Sequence, residues 1–127
     1  MEILIDTNFI ITCVKQNIDF VARADDIIDE EISWIVPQDV LNELGNLKNR
    51  KGIKMEDKRA AVLSFEVLKN IRAEIIELPG ENPNIDIKIV NYLLDKDIVL
   101  ATLDKDLKGR VKNKILTIRA GKKLGFV

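Results

Sequence analysis

Short apolar runs alternate along this chain with longer stretches whose apolar positions recur every three or four residues. That alternation predicts strands joined by helical crossovers. Residues 2–5 read as a first buried strand, followed by a helix from Thr7 to Gln16 and another from Phe20 to Glu31, where Phe20, Val21, Ala24, Ile27 and Ile28 fall at helical spacing. Ser33 to Val36 forms a second strand stopped by Pro37, a residue favoured at a helix start. The next helix covers Gln38 to Lys48, with Val40, Leu41 and Leu44 on its apolar face and Glu43 beside it. After a break at Gly52, Glu56 to Ile71 is a long amphipathic helix. Glu74 to Leu78 is a third strand closed by Pro79-Gly80. Asn82-Pro83-Asn84 opens a helix from Ile85 to Leu94; Ile98 to Thr102 is a fourth strand, Asp104 to Val111 a short helix, and Ile115 to Ile118 a fifth strand before a basic tail. Such an order implies an α/β domain in which a mainly parallel sheet lies between helical layers.

The polar residues that interrupt this pattern say more than the pattern itself. Asp6 directly follows the first strand and Asp104 follows the fourth. Ligands of open α/β sheets bind outside the carboxyl ends of the strands, so both acids belong to one mouth. Each has a purely structural alternative. Asp6 and Asp104 stand where helix N-caps stand, Glu43 fits a solvent-facing helix position, and Asp86 lies in a first helical turn, where the helix dipole favours an acid. Together they are harder to explain, because several negative charges in one mouth are costly unless a cation neutralises them. That points to a divalent metal, and through it to phosphate chemistry.

Composition narrows the chemistry further. With 127 residues and 46% hydrophobic content, the chain corresponds to one domain with a real core. It has no histidine, which removes Ser-His-Asp and Cys-His catalysis and zinc-imidazole sites. Cys13 is the only cysteine and sits in an apolar run, so it reads as a small buried hydrophobe. A metal-activated water is then the main route left to hydrolysis at neutral pH. No run of about 18 apolar residues and no leader-like start is present, so cytoplasmic residence is expected. Scarce glutamine beside abundant Ile, Lys and Glu fits a thermophile source.

The net charge of −1 conceals an acidic run, from Asp25 to Glu31, and two basic segments. Lys48, Arg50 and Lys51 in one, and Lys105, Lys108 and Arg110 in the other, are candidate phosphate contacts around an acidic pocket. Solvated helix faces and ion pairs are the plainer explanation of both segments.

Ile3-Leu4-Ile5-Asp6-Thr7-Asn8 resembles the opening of a PIN domain. Val36 to Leu44 is similar to that family's second acidic motif, Asn84 to Val90 to the third, and Val99 to Leu107 to the fourth. The motifs recur in family order and cover essentially the whole chain. The resemblance implies a three-layer α/β/α fold with a parallel five-stranded sheet of order 3-2-1-4-5. It implies that Asp6, Glu43, Asp86 and Asp104 hold one or two Mg²⁺ or Mn²⁺ ions, with Asn8, Thr102 and Asp106 in support. The activity it implies is endonucleolytic hydrolysis of RNA. Two roles follow from it, a VapC-type toxin with a VapB-type antitoxin partner or a nuclease of rRNA processing, and a homodimer is expected.

Other classes fit less well. A receiver domain shares the sheet order but wants paired acids after the first strand, where Asp6 is followed by Thr7-Asn8, and an Asp after the third, where Leu78-Pro79-Gly80 stands. A dehalogenase-type phosphatase wants an acid at Asn8. Dinucleotide binding wants a glycine-rich turn after the first strand, and none is present. An idle PIN domain serving as a binding module would be marked by loss of an acidic position, and none is lost. Trp34 and Tyr92 lie in patterned apolar segments and are read as core or dimer contacts rather than base-stacking platforms.

Overall fold

A computed structural model describes residues 1–127. Its elements follow the expected alternation: β1 (Glu2–Ile5), α1 (Thr7–Lys15), α2 (Phe20–Ile27), β2 (Ser33–Pro37), α3 (Gln38–Asn49), α4 (Met55–Asn70), β3 (Glu74–Ile76), α5 (Ile85–Leu93), β4 (Ile98–Ala101), α6 (Lys105–Arg110), β5 (Ile115–Arg119) and β6 (Lys123–Phe126). The sheet order is β3-β2-β1-β4-β5-β6. Its first five strands are parallel in the expected order, and β6 adds an antiparallel edge.

Both faces of the central strands are covered, as near-continuous apolar sequence requires of a parallel sheet. Ile3 and Ile5 of β1, Trp34 and Val36 of β2, and Val99 and Ala101 of β4 pack with α1 to α4 in one core. The alternate residues Leu4, Ile35, Ile98 and Leu100 pack with α5 and α6 in the other. This is a three-layer arrangement. Asp6 leaves β1 at the point where its backbone N–H still donates to Ala101 O of β4, at 3.1 Å. The register therefore fixes the start of α1 against the end of β4.

The structure adds one strand to the expected set and shortens one helix. The basic tail contains a sixth strand: Gly121 (φ 76°) and Lys122 (φ 59°) turn the chain back so that β6 pairs with β5. A Cβ on Gly125 would stand 2.6 Å from Arg119 Nε, so any other residue there would make that side chain shift. The α2 helix ends at Ile27 rather than Glu31, because Ile28 turns extended (φ −120°, ψ 121°) and sends its side chain into the core. The apolar faces of α1 and α2 turn inward: Phe9, Ile10, Cys13, Phe20, Ala24 and Ile28 are buried within the domain.

Trp34 is a core residue. Its ring meets Phe20 edge-on at 5.1 Å, and Phe20 meets Phe9 at 5.6 Å. Tyr92 is half-buried under Lys96 Nζ, 4.6 Å from its ring centroid. Burial pushes the Cys13 thiol up to about 12, so it is no nucleophile at neutral pH. No helix is long and apolar enough to cross a membrane.

Candidate active site

Asp6 is 5% exposed, and its two oxygens are used differently. Oδ1 accepts from the Thr7 backbone N–H at 2.8 Å, the helix-start role open to it from sequence. Oδ2 accepts from the Thr102 hydroxyl at 2.9 Å. That hydroxyl also lies 3.3 Å from Asn8 Oδ1, but it carries one proton, and the shorter bond to the carboxylate takes it. Asn8 Oδ1 accepts instead from Leu103 N–H at 3.1 Å.

The Thr102 oxygen then accepts from the Asp104 N–H at 3.1 Å. One hydroxyl at the end of β4 therefore links both strand-end acids. Asp104 Oδ1 caps α6 through Asp106 N–H (2.9 Å) and Leu107 N–H (3.2 Å), which leaves Oδ2 without a hydrogen bond from the protein.

Glu43 joins through Thr7, whose hydroxyl donates to its Oε1 at 3.1 Å. Thr7 is a site residue that sequence reasoning missed, since its partner lies 36 positions away and leaves no local pattern. Asp86 stands in the first turn of α5, where Asn84 supplies the cap. Its charge faces both Asp6 and Glu43.

The electrostatics are those of crowded acids. Burial, together with Asp86 and Glu43, pushes Asp6 up to about 6, against the bonds from Thr102 and Thr7 that favour its charged form. Glu43 is raised by burial and then by Asp86 and Asp39. Asp86 is raised by burial and then by Asp104 and Asp106, with Arg110 opposing.

None of the four acids forms an ion pair, whereas their neighbours Asp39 and Asp106 pair with Lys88 (2.7 Å) and Arg110 (3.7 Å). The Lys88 contact is ionic rather than an aligned hydrogen bond, and that Asp39 oxygen has no other partner. Asp106 thus belongs to an exposed pair on α6, beside the mouth.

Hard carboxylate oxygens facing one mouth, none of them paired with a basic side chain, are a donor set that fits Mg²⁺ or Mn²⁺. No three acids stand close enough, as their side chains lie, to surround a single ion. Mg²⁺ is commonly held by one or two carboxylates with water completing its shell, so this spacing is compatible with the donor set.

Of the candidate phosphate contacts, Lys105 is exposed beside Asp104, while Lys108 donates to Thr117 Oγ1 at 3.0 Å and Arg110 holds Asp106. Lys48, Arg50 and Lys51 are exposed at the far end of α3 and just beyond. At 1.5 Å rise per residue, Lys48 lies about 8 Å along the helix axis from Glu43, and Arg50 follows just past the helix end.

Thr102→Val tests the shared hydroxyl. The substitution keeps the shape but leaves the Asp104 N–H and Asp6 Oδ2 without their partner, so about 1 to 3 kcal/mol of stability should be lost. If the hydroxyl orients the acids, activity falls roughly 10- to 100-fold as well. Unchanged turnover in the folded variant would remove Thr102 from the site.

A doubly wound sheet whose two central strands end in linked carboxylates defines the class, an α/β domain with an acidic site at its carboxyl edge. The sequence profile of the PIN-like domain family matches residues 3–120, and the chain belongs to that family. Ribonuclease VapC4 of Methanocaldococcus jannaschii is 25% identical over 111 residues, covering 87% of this chain and 82% of that protein. The structure of the PIN domain endonuclease Utp24 superposes with a TM-score of 0.79 at 25% identity, over 98% of this chain and 90% of the other. VapBC2 from Rickettsia felis, solved with a DNA fragment from its promoter, gives a TM-score of 0.64 at 14% identity, over 92% of this chain and 98% of the other, and supports the fold alone.

Proposed function

We propose that this chain is an endoribonuclease that hydrolyses RNA phosphodiesters with Mg²⁺ or Mn²⁺ as cofactor. The observation that carries the reading is the set of four unpaired acids at the carboxyl edge of β1 and β4, three of them pushed up by burial and by one another. The names ribonuclease and endonuclease among its relatives supply the substrate class.

Asp6 and Asp104 would hold the cation, with Glu43 and Asp86 as further ligands or as acceptors that orient the attacking water. The bound cation supplies charge for the phosphate and a lowered pKa for water. The protein's own contribution is orientation. Thr102 fixes Asp6 Oδ2, Thr7 fixes Glu43 Oε1, and Glu43 Oε2 remains free to take the proton that the water loses. Lys105 stands at the edge of the mouth, where it can position the strand without reading its sequence.

Two settings suit this chemistry. A VapC-type toxin would pair with a VapB-type antitoxin and form a homodimer, while a nuclease of rRNA processing would act without an antitoxin. All four acidic positions are present, which weighs against an idle binding module.

Water attack on phosphorus makes a further prediction. An end-labelled RNA should yield 5′-phosphate and 3′-hydroxyl ends. A 2′,3′-cyclic phosphate would mean that the ribose hydroxyl is the nucleophile, and this mechanism would be rejected.

A further inference from the structure

Beside the acidic mouth, a cleft of about 260 Å³ runs between α3 and the segment that enters α5. One wall is a stripe on α3: Asp39, Asn42, Glu43 and Asn46 recur at the spacing of a single helix face. The opposite wall is Asn82, Pro83, Ile85 and Lys88. Glu43 belongs to both the cleft and the mouth, so whatever fills the cleft lies next to the reacting phosphate.

We infer that this cleft is a subsite for one unpaired nucleobase of the RNA, adjacent to the scissile bond; the inference rests on the endoribonuclease reading. The charge in the cleft argues for a base over a second phosphate. Lys88 is already neutralised by Asp39 at 2.7 Å, and Glu43 adds a negative charge, so an anion has nothing to gain there.

What the walls do offer is neutral amide chemistry. Asn42 Oδ1 accepts from Gln38 Nε2 and Asn82 Oδ1 from Asn84 N–H, which leaves both NH₂ groups without a protein acceptor. The side-chain amide of Asn46 has no hydrogen-bond partner in the protein. Donors and acceptors of this kind suit the edge of a splayed-out base, and Pro83 and Ile85 offer the apolar surface its ring face needs. An edge-reading cleft requires the base to be unstacked, so the substrate class is single-stranded or looped RNA rather than duplex.

Fluorescently labelled rA, rC, rG and rU decamers, titrated in Ca²⁺ against the wild type, Asn46→Ala and the double variant Asn46→Ala/Asn82→Ala, test the subsite. The wild type should prefer one base. The double variant should lose about fivefold to tenfold of that preference while its affinity for the other decamers stays the same. Equal wild-type affinity for all four decamers, or a preference unchanged in the double variant, overturns the subsite. A uniform loss of affinity in the variant that leaves the ratios intact also overturns it, since that marks a structural role. Cleavage in Mg²⁺ is scored separately. A wild type that binds selectively but does not cut leaves the subsite standing and removes the nuclease reading, and one that cuts without selectivity does the reverse.

Discussion

Asp6→Asn should abolish cleavage and at the same time yield a metal-free protein that is more stable than the wild type at pH 7. Loss of a carboxylate that holds the cation should cost several kcal/mol of transition-state stabilisation, a fall of roughly a thousandfold or more in kcat. The gain in stability follows from the electrostatics. Asp6 is pushed from 3.8 up to about 6 in the folded protein, so between those values the folded state binds more protons than the unfolded one.

Stability is then fully present below about pH 4 and is lost as pH rises through about 6, by about 2 to 3 kcal/mol. Asparagine keeps the shape without the charge: its oxygen can accept from Thr7 N–H while its NH₂ donates to the Thr102 oxygen, reversing that bond, so it should recover most of that loss. Melting in EDTA from pH 4 to 8 checks both halves. The wild type should lose stability with rising pH in that window, and the variant should show a shallower slope. A residual slope is expected from Glu43 and Asp86, which are raised for the same reason. A variant less stable than the wild type at pH 7 in EDTA would mean that the Asp6 charge is compensated by the protein itself, and the argument for a cation there would fail.

The Phe20→Ala variant should behave in the opposite way, unstable but competent. Phe20 is 2% exposed between Phe9 and Trp34, with both ring pairs near perpendicular at 76° and 83°. Truncation there costs about 3 to 5 kcal/mol from lost transfer energy and the cavity left behind. For a domain of this size that corresponds to roughly 10 to 20 °C in Tm. Because α2 contributes no side chain to the mouth, kcat per folded molecule should be retained below the transition. A loss of turnover larger than the unfolded fraction explains would show that the aromatic cluster reaches the site through α1.

The contrast between the two variants marks what was legible in the sequence. The strands β1 and β4 are buried on both faces, so their sequences are nearly all apolar, and an acid directly after each one stands out. The helices around them are amphipathic and follow the 3.6-residue period. The β6 strand was hidden because Lys123-Leu124-Gly125-Phe126 shows one lysine and one glycine in four residues, and its pairing depends on a turn at Gly121-Lys122. The end of α2 was misplaced because Ile27 and Ile28 continue the apolar period, while the core takes Ile28 and leaves Ile27 44% exposed.

Within the site, the acids were readable as residue types at element ends, but their partners were not. Thr7 to Glu43, Thr102 to Asp6 and Lys88 to Asp39 each join residues that only the folded sheet brings together. The polar stripe on α3 did carry a signal, since amides and acids recur on one helix face beside the apolar one.

Cleavage of a labelled structured RNA by the wild type, Asp6→Asn and Asp104→Asn, each in Mg²⁺, in Mn²⁺ and in EDTA, tests the central claim most directly. The account predicts cutting by the wild type with either metal, none in EDTA, and none by either variant under any condition. Cutting that persists in EDTA, or survives both substitutions, would contradict it and place the chemistry somewhere other than the mouth formed by β1 and β4.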